Sequence, residues 1–333
     1  MKIPLILFST AILVGYLMTQ PVQSQTRPLK FDFDSIEIGT AEYPQGPTGC
    51  TVVYFPNGAK GAVDIRGGAA AVRESSSLAS NNTWGTADAV VLAGGSTYGL
   101  EAADGVVHSL MKMRSNPTHF SSIPAVPAAI VYDFAKRENA LYPDKALGEK
   151  AFAARKKNVI TIGRAGGGAN VTVGKYFGRE WSELSGQGAA FGEWKGIKIF
   201  VVTVVNALGN IVNEKGEIIA GSKDPKTGVR ISVAEKLKMN LEANLDSEVP
   251  NGNTTITAVI TNAKLSRNDL ERVAAMSHTN MGSKIQPFHT PSDGDSLFAF
   301  TTDEVDLPKG MDVSDVGVLA GDLLNQAILG IFE

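Results

Sequence analysis

Cysteine is nearly absent: Cys50 is the only one in 333 residues. That excludes an intramolecular disulfide and a thiolate metal cluster. A lone cysteine can be a nucleophile, but Cys50 stands in Gly49-Cys50-Thr51-Val52-Val53-Tyr54, which reads as the start of a buried strand where a small hydrophobe belongs. An excess of basic charge is also missing. Lys plus Arg total 31 against 34 Asp plus Glu, a net charge of -3 with both signs interspersed, so nothing resembles the basic stripe that neutralises phosphates, and nucleic acid is not an expected partner. The four histidines, His108, His119, His278 and His289, show no metal-ligand spacing and no Glu-flanked motif, so neither metal nor other cofactor is implied. The Gly163-Arg164-Ala165-Gly166-Gly167-Gly168 run lacks the Gly-Lys-Ser/Thr end of a phosphate loop and the spacing of a dinucleotide fingerprint; close backbone packing is its more economical reading.

The first residues carry a signal of another kind. Lys2, the apolar stretch Ile3–Met18 and the small residues around Val22-Gln23-Ser24 read as a secretory signal peptide over residues 1–24. Ser9, Thr10 and Gly15 dilute the stretch, and it is short for a bilayer span. The expectation is a periplasmic or secreted protein with no stable membrane insertion. The remaining chain of roughly 300 residues can form one large domain or two small ones, and a 43% hydrophobic content can fill its core.

Strand-like apolar runs occur at Thr51–Phe55, Ala89–Ala93, Val159–Ile162, Ile197–Val205 and Ile256–Thr261, and helix-like segments at Thr97–Arg114, Lys145–Lys157, Ser266–Met281 and Ser314–Ile331. The alternation predicts an α/β protein. Ser266 with Asp269 three residues on predicts a capped helix start, so the strand Ile256–Thr261 runs straight into a helix. Before that strand, residues 239–253 (MNLEANLDSEVPNGN) are polar, hold Pro250 and Asn251-Gly252, and read as an exposed loop.

A polar loop that delivers Thr254 to the head of a buried strand is equally an ordinary turn. The chemistry it would suit is self-processing: the Thr254 hydroxyl attacks the Asn253 carbonyl, the acyl group moves from nitrogen to oxygen, and water hydrolyses the ester. The freed α-amine, of ordinary pKa about 7.7–8.0, then serves as general base for the hydroxyl of its own residue.

Gly252-Asn253-Thr254-Thr255-Ile256 and the following Val259-Ile260-Thr261-Asn262-Ala263-Lys264-Leu265 resemble the processing site of the self-cleaving L-aminopeptidase/D-esterase (β-aminopeptidase) family. Within it they are most similar to the nylon-oligomer (6-aminohexanoate oligomer) hydrolases, which use Thr after Asn. The similarity extends through Arg66-Gly67-Gly68-Ala69, Gly94-Gly95-Ser96-Thr97-Tyr98-Gly99-Leu100, Val126-Pro127-Ala128-Ala129 and Asp293-Gly294-Asp295. The resemblance implies an N-terminal-nucleophile-hydrolase-like fold, a four-layer α-β-β-α sandwich. It implies one domain built from a large fragment, residues 25–253, and a small one, residues 254–333, assembled further into a homo-oligomer, commonly a tetramer of such pairs. It also implies an amidohydrolase or aminopeptidase acting on peptides, β-peptides or aminohexanoate oligomers.

Site roles follow residue by residue. Asp293 and Asp295, two apart, can point to one face of an extended segment; in the nylon hydrolases an Asp-x-Asp pair lies beside the nucleophile, where β-aminopeptidases carry Ser-x-Glu. The bland reading of the pair is a solvated acidic turn. Asn206 ends the strand Ile197–Val205, where its amide suits an oxyanion donor and equally a strand-ending turn. Lys175, otherwise a surface lysine, falls where the family carries a catalytic Lys, and Tyr132 resembles its site-lining tyrosine. Three rivals stand beside this reading: an acyltransferase of the ornithine-acetyltransferase type, an uncut hydrolase using Ser96 at a loose strand–elbow–helix, and an exported binding protein without catalysis.

Overall fold

The computed structural model describes residues 26–135, 137–245 and 249–333; the expected signal peptide lies outside them. Eight strands form the body: β1 (Glu37–Tyr43), β2 (Thr48–Ile65), β3 (Thr86–Ala93), β4 (Ala128–Ile130), β5 (Gln187–Trp194), β6 (Ile197–Asn206), β7 (Thr254–Ala263) and β8 (Ser296–Val305). Among the described residues five helices of nine residues or more accompany them: α1 (Glu101–Met113), α2 (Lys145–Ala153), α3 (Val233–Glu242), α4 (Arg267–Met281) and α5 (Val313–Leu329).

β2 is long enough to serve two sheet halves. Its first part, Thr48–Tyr54, pairs with β1 and, over Cys50–Tyr54, with β3; its last part, Lys60–Ile65, pairs with β8. Between them the register with β3 shifts at Pro56-Asn57-Gly58, where proline cannot donate to a ladder and Gly58 takes φ +73°. One half is therefore β1, β2, β3 and β4, and the other runs β5-β6-β7-β8-β2.

Alternation along the strands fills three separate cores. On β6, Phe200, Val202 and Val204 face the space between the halves, while Ile197, Ile199 and Val201 face α4 and α5. On β2, Val53 and Phe55 face the central space, and Cys50, Val52 and Tyr54 face α1 and α2. Helix, sheet, sheet and helix thus form four layers, as the resemblance implies. Cys50 is fully buried, and burial pushes its thiol well above the ordinary range, which suits a small hydrophobe and not a nucleophile.

Several boundaries differ from the sequence reading. Ser96–Leu100 winds as a 3₁₀ turn ahead of α1, and α2 stops at Ala153 because Lys156–Lys157 pairs with β1 instead. β7 begins two residues earlier than Ile256, at Thr254 itself. The polar segment 239–253 is not all loop: Met239–Glu242 close α3.

Candidate functional site: the head of strand β7

The fold places Thr254 at the N-terminal end of β7, directly across from Asn206, the last residue of β6. β8 runs parallel to β7 on the other side, so the turn 292–295 that feeds β8 arrives at the same end, and Asn253 pairs with Asp293. Gly67 and Gly68 let the end of β2 press against that turn. A Cβ on Gly67 would stand 2.2 Å from the Asp295 nitrogen, and one on Gly68 would stand 2.6 Å from the Pro291 oxygen. The Arg66-Gly67-Gly68-Ala69 motif is thus backbone packing that holds the Asp turn: Arg66 N–H donates to the Asp295 carbonyl at 3.1 Å and Ala69 N–H to the Asp293 carbonyl at 2.8 Å.

Thr254 is 5% exposed. Its hydroxyl donates to the Asn253 carbonyl, the group a self-cleaving Thr254 would attack. The same carbonyl oxygen accepts the Gly294 N–H at 2.8 Å. A fixed backbone donor on a carbonyl oxygen is what stabilises a developing oxyanion. Gly294 must be glycine for this approach, since a Cβ there would lie 2.6 Å from Thr254 Oγ1.

Lys175 is not a surface lysine. It is 1% exposed, and its Nζ donates to the Thr172 carbonyl at 2.9 Å and to the Asn206 carbonyl and Oδ1, each at 2.8 Å. Burial, with Arg179 nearby, pulls its pKa well below the ordinary lysine value, while Asp293 and Asp295 oppose the fall. Three acceptors need three N–H groups, which only the ammonium supplies, so the geometry describes the charged form. By holding Oδ1, Lys175 fixes the Asn206 amide so that Nδ2 points the other way, donating to the carbonyls of Gly252 and Tyr132, each at 3.1 Å. In the continuous chain Asn206 therefore grips the residue before Asn253 and not the Asn253 carbonyl.

Asp293 and Asp295 are both buried. Asp295 accepts the Thr255 N–H at 2.7 Å, fixing the second residue of β7, and its other oxygen accepts the His289 N–H at 3.0 Å and faces His289 Nδ1, also at 3.0 Å. Asp293 accepts the N–H and the hydroxyl of Thr290 at 3.0 and 2.5 Å. Burial first and Asp295 second raise the pKa of Asp293 from 3.8 to about 6. Neither carboxylate hydrogen-bonds Thr254 in the continuous chain: Asp295 holds the next residue, Thr255, while the Asp293 carboxylate is held by Thr290 and the Leu208 N–H.

Tyr132 lines a cavity of about 490 Å³ beside Thr254, together with Ser96, Thr97 and Arg179. Its ring lies under the Arg179 guanidinium, 5.0 Å from the centroid, and against Gly252, whose φ of +86° excludes a side chain. Ser96 does sit at a strand–turn–helix corner, with φ +54°, but among the described residues no histidine pairs with its hydroxyl. The four histidines are engaged elsewhere: His108 with Glu149, His119 with Ser121, His278 with Asp64 and His289 with Asp295. Among the described residues no cluster of three or more His, Cys, Asp or Glu could hold a metal ion.

All six sequence candidates, Thr254, Asn206, Lys175, Asp293, Asp295 and Tyr132, thus gather around one strand end. The sequence reading did not single out the Gly294 N–H, Thr290, His289 or Arg179. A backbone donor has no side chain to notice. Thr290 and His289 act through a left-handed turn at His289, φ +59°, which no spacing rule signals.

Residues 31–331 match the profile of peptidase family S58. A 6-aminohexanoate-oligomer endohydrolase of Paenarthrobacter ureafaciens is 39% identical over 321 residues, covering 93% of this chain and 87% of that one. An uncharacterized aminopeptidase of Mycobacterium bovis is 34% identical over 308 residues, covering 84% of each. Among solved structures, a β-aminopeptidase of Burkholderia sp. matches with a TM-score of 0.65 at 15% identity, covering 92% of this chain and 88% of that one. The L-aminopeptidase D-Ala-esterase/amidase of Ochrobactrum anthropi, described as a variant of the Ntn-hydrolase fold, matches with a TM-score of 0.63 at 17% identity, covering 90% and 84%. At those identities the two structures speak for the fold, which is the N-terminal-nucleophile hydrolase fold.

Proposed function

The chain belongs to peptidase family S58 and is a hydrolase of amide bonds, and from that premise we propose that it cuts its own backbone between Asn253 and Thr254 and then hydrolyses linear amides through an acyl-enzyme on Thr254. The observation that carries this reading is the pairing of the Thr254 hydroxyl with the Asn253 carbonyl, whose oxygen is already held by the Gly294 N–H at 2.8 Å. Thr254 Oγ attacks the Asn253 carbonyl carbon, and charge on its oxygen is met by Gly294. The C–N bond breaks as the nitrogen takes up a proton, which leaves an ester on Thr254. Water hydrolyses that ester to an Asn253 carboxylate and a free Thr254 amine.

In turnover the neutral amine takes the proton of its own hydroxyl. Asn206 Nδ2, oriented by Lys175, becomes available to an oxyanion once the Gly252 carbonyl no longer occupies it. Asp295 keeps the head of β7 in place through Thr255, and Tyr132 with Arg179 forms a wall of the site. The substrate class is a linear amide such as a peptide, a β-peptide or an aminohexanoate oligomer. Export directed by residues 1–24, and assembly of the fragments 25–253 and 254–333 into a homo-oligomer, belong to the same reading.

Intact mass tests it. The parent is expected as two fragments that meet between Asn253 and Thr254, and Thr254→Ala as one chain inert toward amides. A parent found as a single chain would overturn the reading.

A further inference from the structure

Two buried carboxylates stand at the head of β7, and the residues that hold them are neighbours in the chain. His289 meets Asp295 Oδ2 twice, with its backbone N–H at 3.0 Å and its Nδ1 at 3.0 Å. Thr290 meets Asp293 Oδ2 in the same way, with its backbone N–H at 3.0 Å and its hydroxyl at 2.5 Å. The left-handed backbone at His289, φ +59°, turns the two successive N–H groups toward the acidic turn; oriented N–H groups of this kind form anion-binding concavities. Each pair of bonds takes one carboxylate oxygen and leaves the other to the site. Asp295 Oδ1 accepts the Thr255 N–H at 2.7 Å and Asp293 Oδ1 the Leu208 N–H at 3.4 Å.

The imidazole is fixed as well as placed. Both oxygens of Asp295 already accept a backbone N–H, so the carboxylate is the acceptor and the ring hydrogen lies on Nδ1. The Phe288 ring stacks on the imidazole at 3.8 Å between centroids, and the His278 ring meets it at 4.4 Å, with the planes 82° apart. His278 is itself buried and paired with Asp64 at 2.9 Å.

We propose that His289 and Thr290 form a clamp that sets the orientation of Asp295 and Asp293 and, through them, the position of the Thr254 nucleophile. The inference rests on the hydrolase reading above and adds two positioning residues to it. Two paths lead from the clamp to the nucleophile. Asp295 fixes Thr255, the residue after Thr254, through its N–H. Gly294, whose N–H holds the Asn253 carbonyl at 2.8 Å, lies between the two clamped residues, so holding both of its neighbours holds that donor. A displacement of about 1 Å at a reacting group can cost a hundredfold in rate, which is the scale on which such a clamp acts.

The test uses the full chain and three variants. His289→Asn keeps an N–H donor near the place of Nδ1 and tolerates the left-handed backbone; His289→Gly tolerates the same backbone and has no donor. Comparing the two separates donation to Asp295 from the shape of the turn. His289→Gly is expected to slow self-cleavage, and to lower kcat on linear 6-aminohexanoate dimer at unchanged KM, by about ten- to a hundredfold. His289→Asn is expected to stay within about threefold of the parent in both, because the donor is restored. Thr290→Val removes the hydroxyl and keeps the shape. That hydroxyl favours the ionised form of Asp293, so its loss is expected to move the inflection of self-cleavage from about pH 6 to higher pH. The charges that face Asp293, Asp295 and the Lys175 ammonium, remain in this variant, and a merely structural Thr290 would leave the inflection in place. A His289→Asn protein as slow as His289→Gly, a His289→Gly protein as fast as the parent, or a Thr290→Val profile with the parent's inflection overturns the clamp alone. A parent that stays uncut, or is cut and inert toward the dimer, overturns the reading on which it rests.

Discussion

Asp293 is a carboxylate held at a cost. Its pKa rises from 3.8 to about 6 because it is buried and faces Asp295. The folded chain therefore binds this proton more tightly than the unfolded chain does. The penalty for ionising it is absent below pH 3.8, grows through the window up to about 6, and is complete above; a shift of that size corresponds to about 3 kcal/mol. Asp293→Asn removes the titration. Its melting temperature relative to the parent is expected to rise between pH 4 and pH 7, while self-cleavage slows and loses the inflection near pH 6 that the raised Asp293 carboxyl gives the parent. A stability difference that is flat with pH would show that Asp293 is not the strained group. Gly294 gives the complementary case. Its φ is not left-handed, so alanine is compatible with the backbone, but the added Cβ would stand 2.6 Å from Thr254 Oγ1 and 3.0 Å from the Ala69 oxygen. Gly294→Ala should fold and yet process about a hundredfold more slowly, as expected for a displaced nucleophile. Uncut chain accumulating over time in a mass series would report it, and parent-like processing would refute the geometry.

Elements were legible in the sequence where the physics is local. The start of α4 is one case: Ser266 and Asp269 form the reciprocal capping box that their spacing predicts. Val159–Ile162 is recovered residue for residue. What the sequence hides is non-local. β2 is one strand serving two sheet halves, and its polar bend at Pro56-Asn57-Gly58 looks like an end. α3 escapes detection because only Val233 and Asn240 of its ten residues are buried, leaving little apolar period to read. The site shows the same division. Thr254, Asn206, Lys175, Asp293, Asp295 and Tyr132 are visible through a resemblance that attaches to residue types. Sequence could not show that Lys175 acts by orienting Asn206, or that Asn206 grips Gly252 in the continuous chain, because the first depends on how the segment around Lys175 packs on the end of β6 and the second on the β6–β7 register.

At the scale of the molecule, the proposed scissile bond lies at the mouth of a sheet that the two proposed fragments build jointly. β7 and β8 of the small fragment are neighbours, but each has a large-fragment strand on its outer side. β6 pairs with β7 from Asn206↔Thr254 to Ile199↔Thr261, and β2 pairs with β8 from Ile65↔Ser296 to Lys60↔Thr301. The small fragment's apolar faces are shared in the same way: Phe298 and Phe300 share the central core with Phe55 and Phe200, and α5 covers β6 from outside. Cutting one peptide bond leaves all of these interactions in place, and separating the fragments would expose both sheet edges and two cores at once. Processed protein is therefore expected to elute from a sizing column as one species holding both fragments in equal amounts. The fragments should separate only where denaturant also abolishes the folded signal, in one transition and not two. Elution of a free fragment under native conditions would contradict the interleaved sheet.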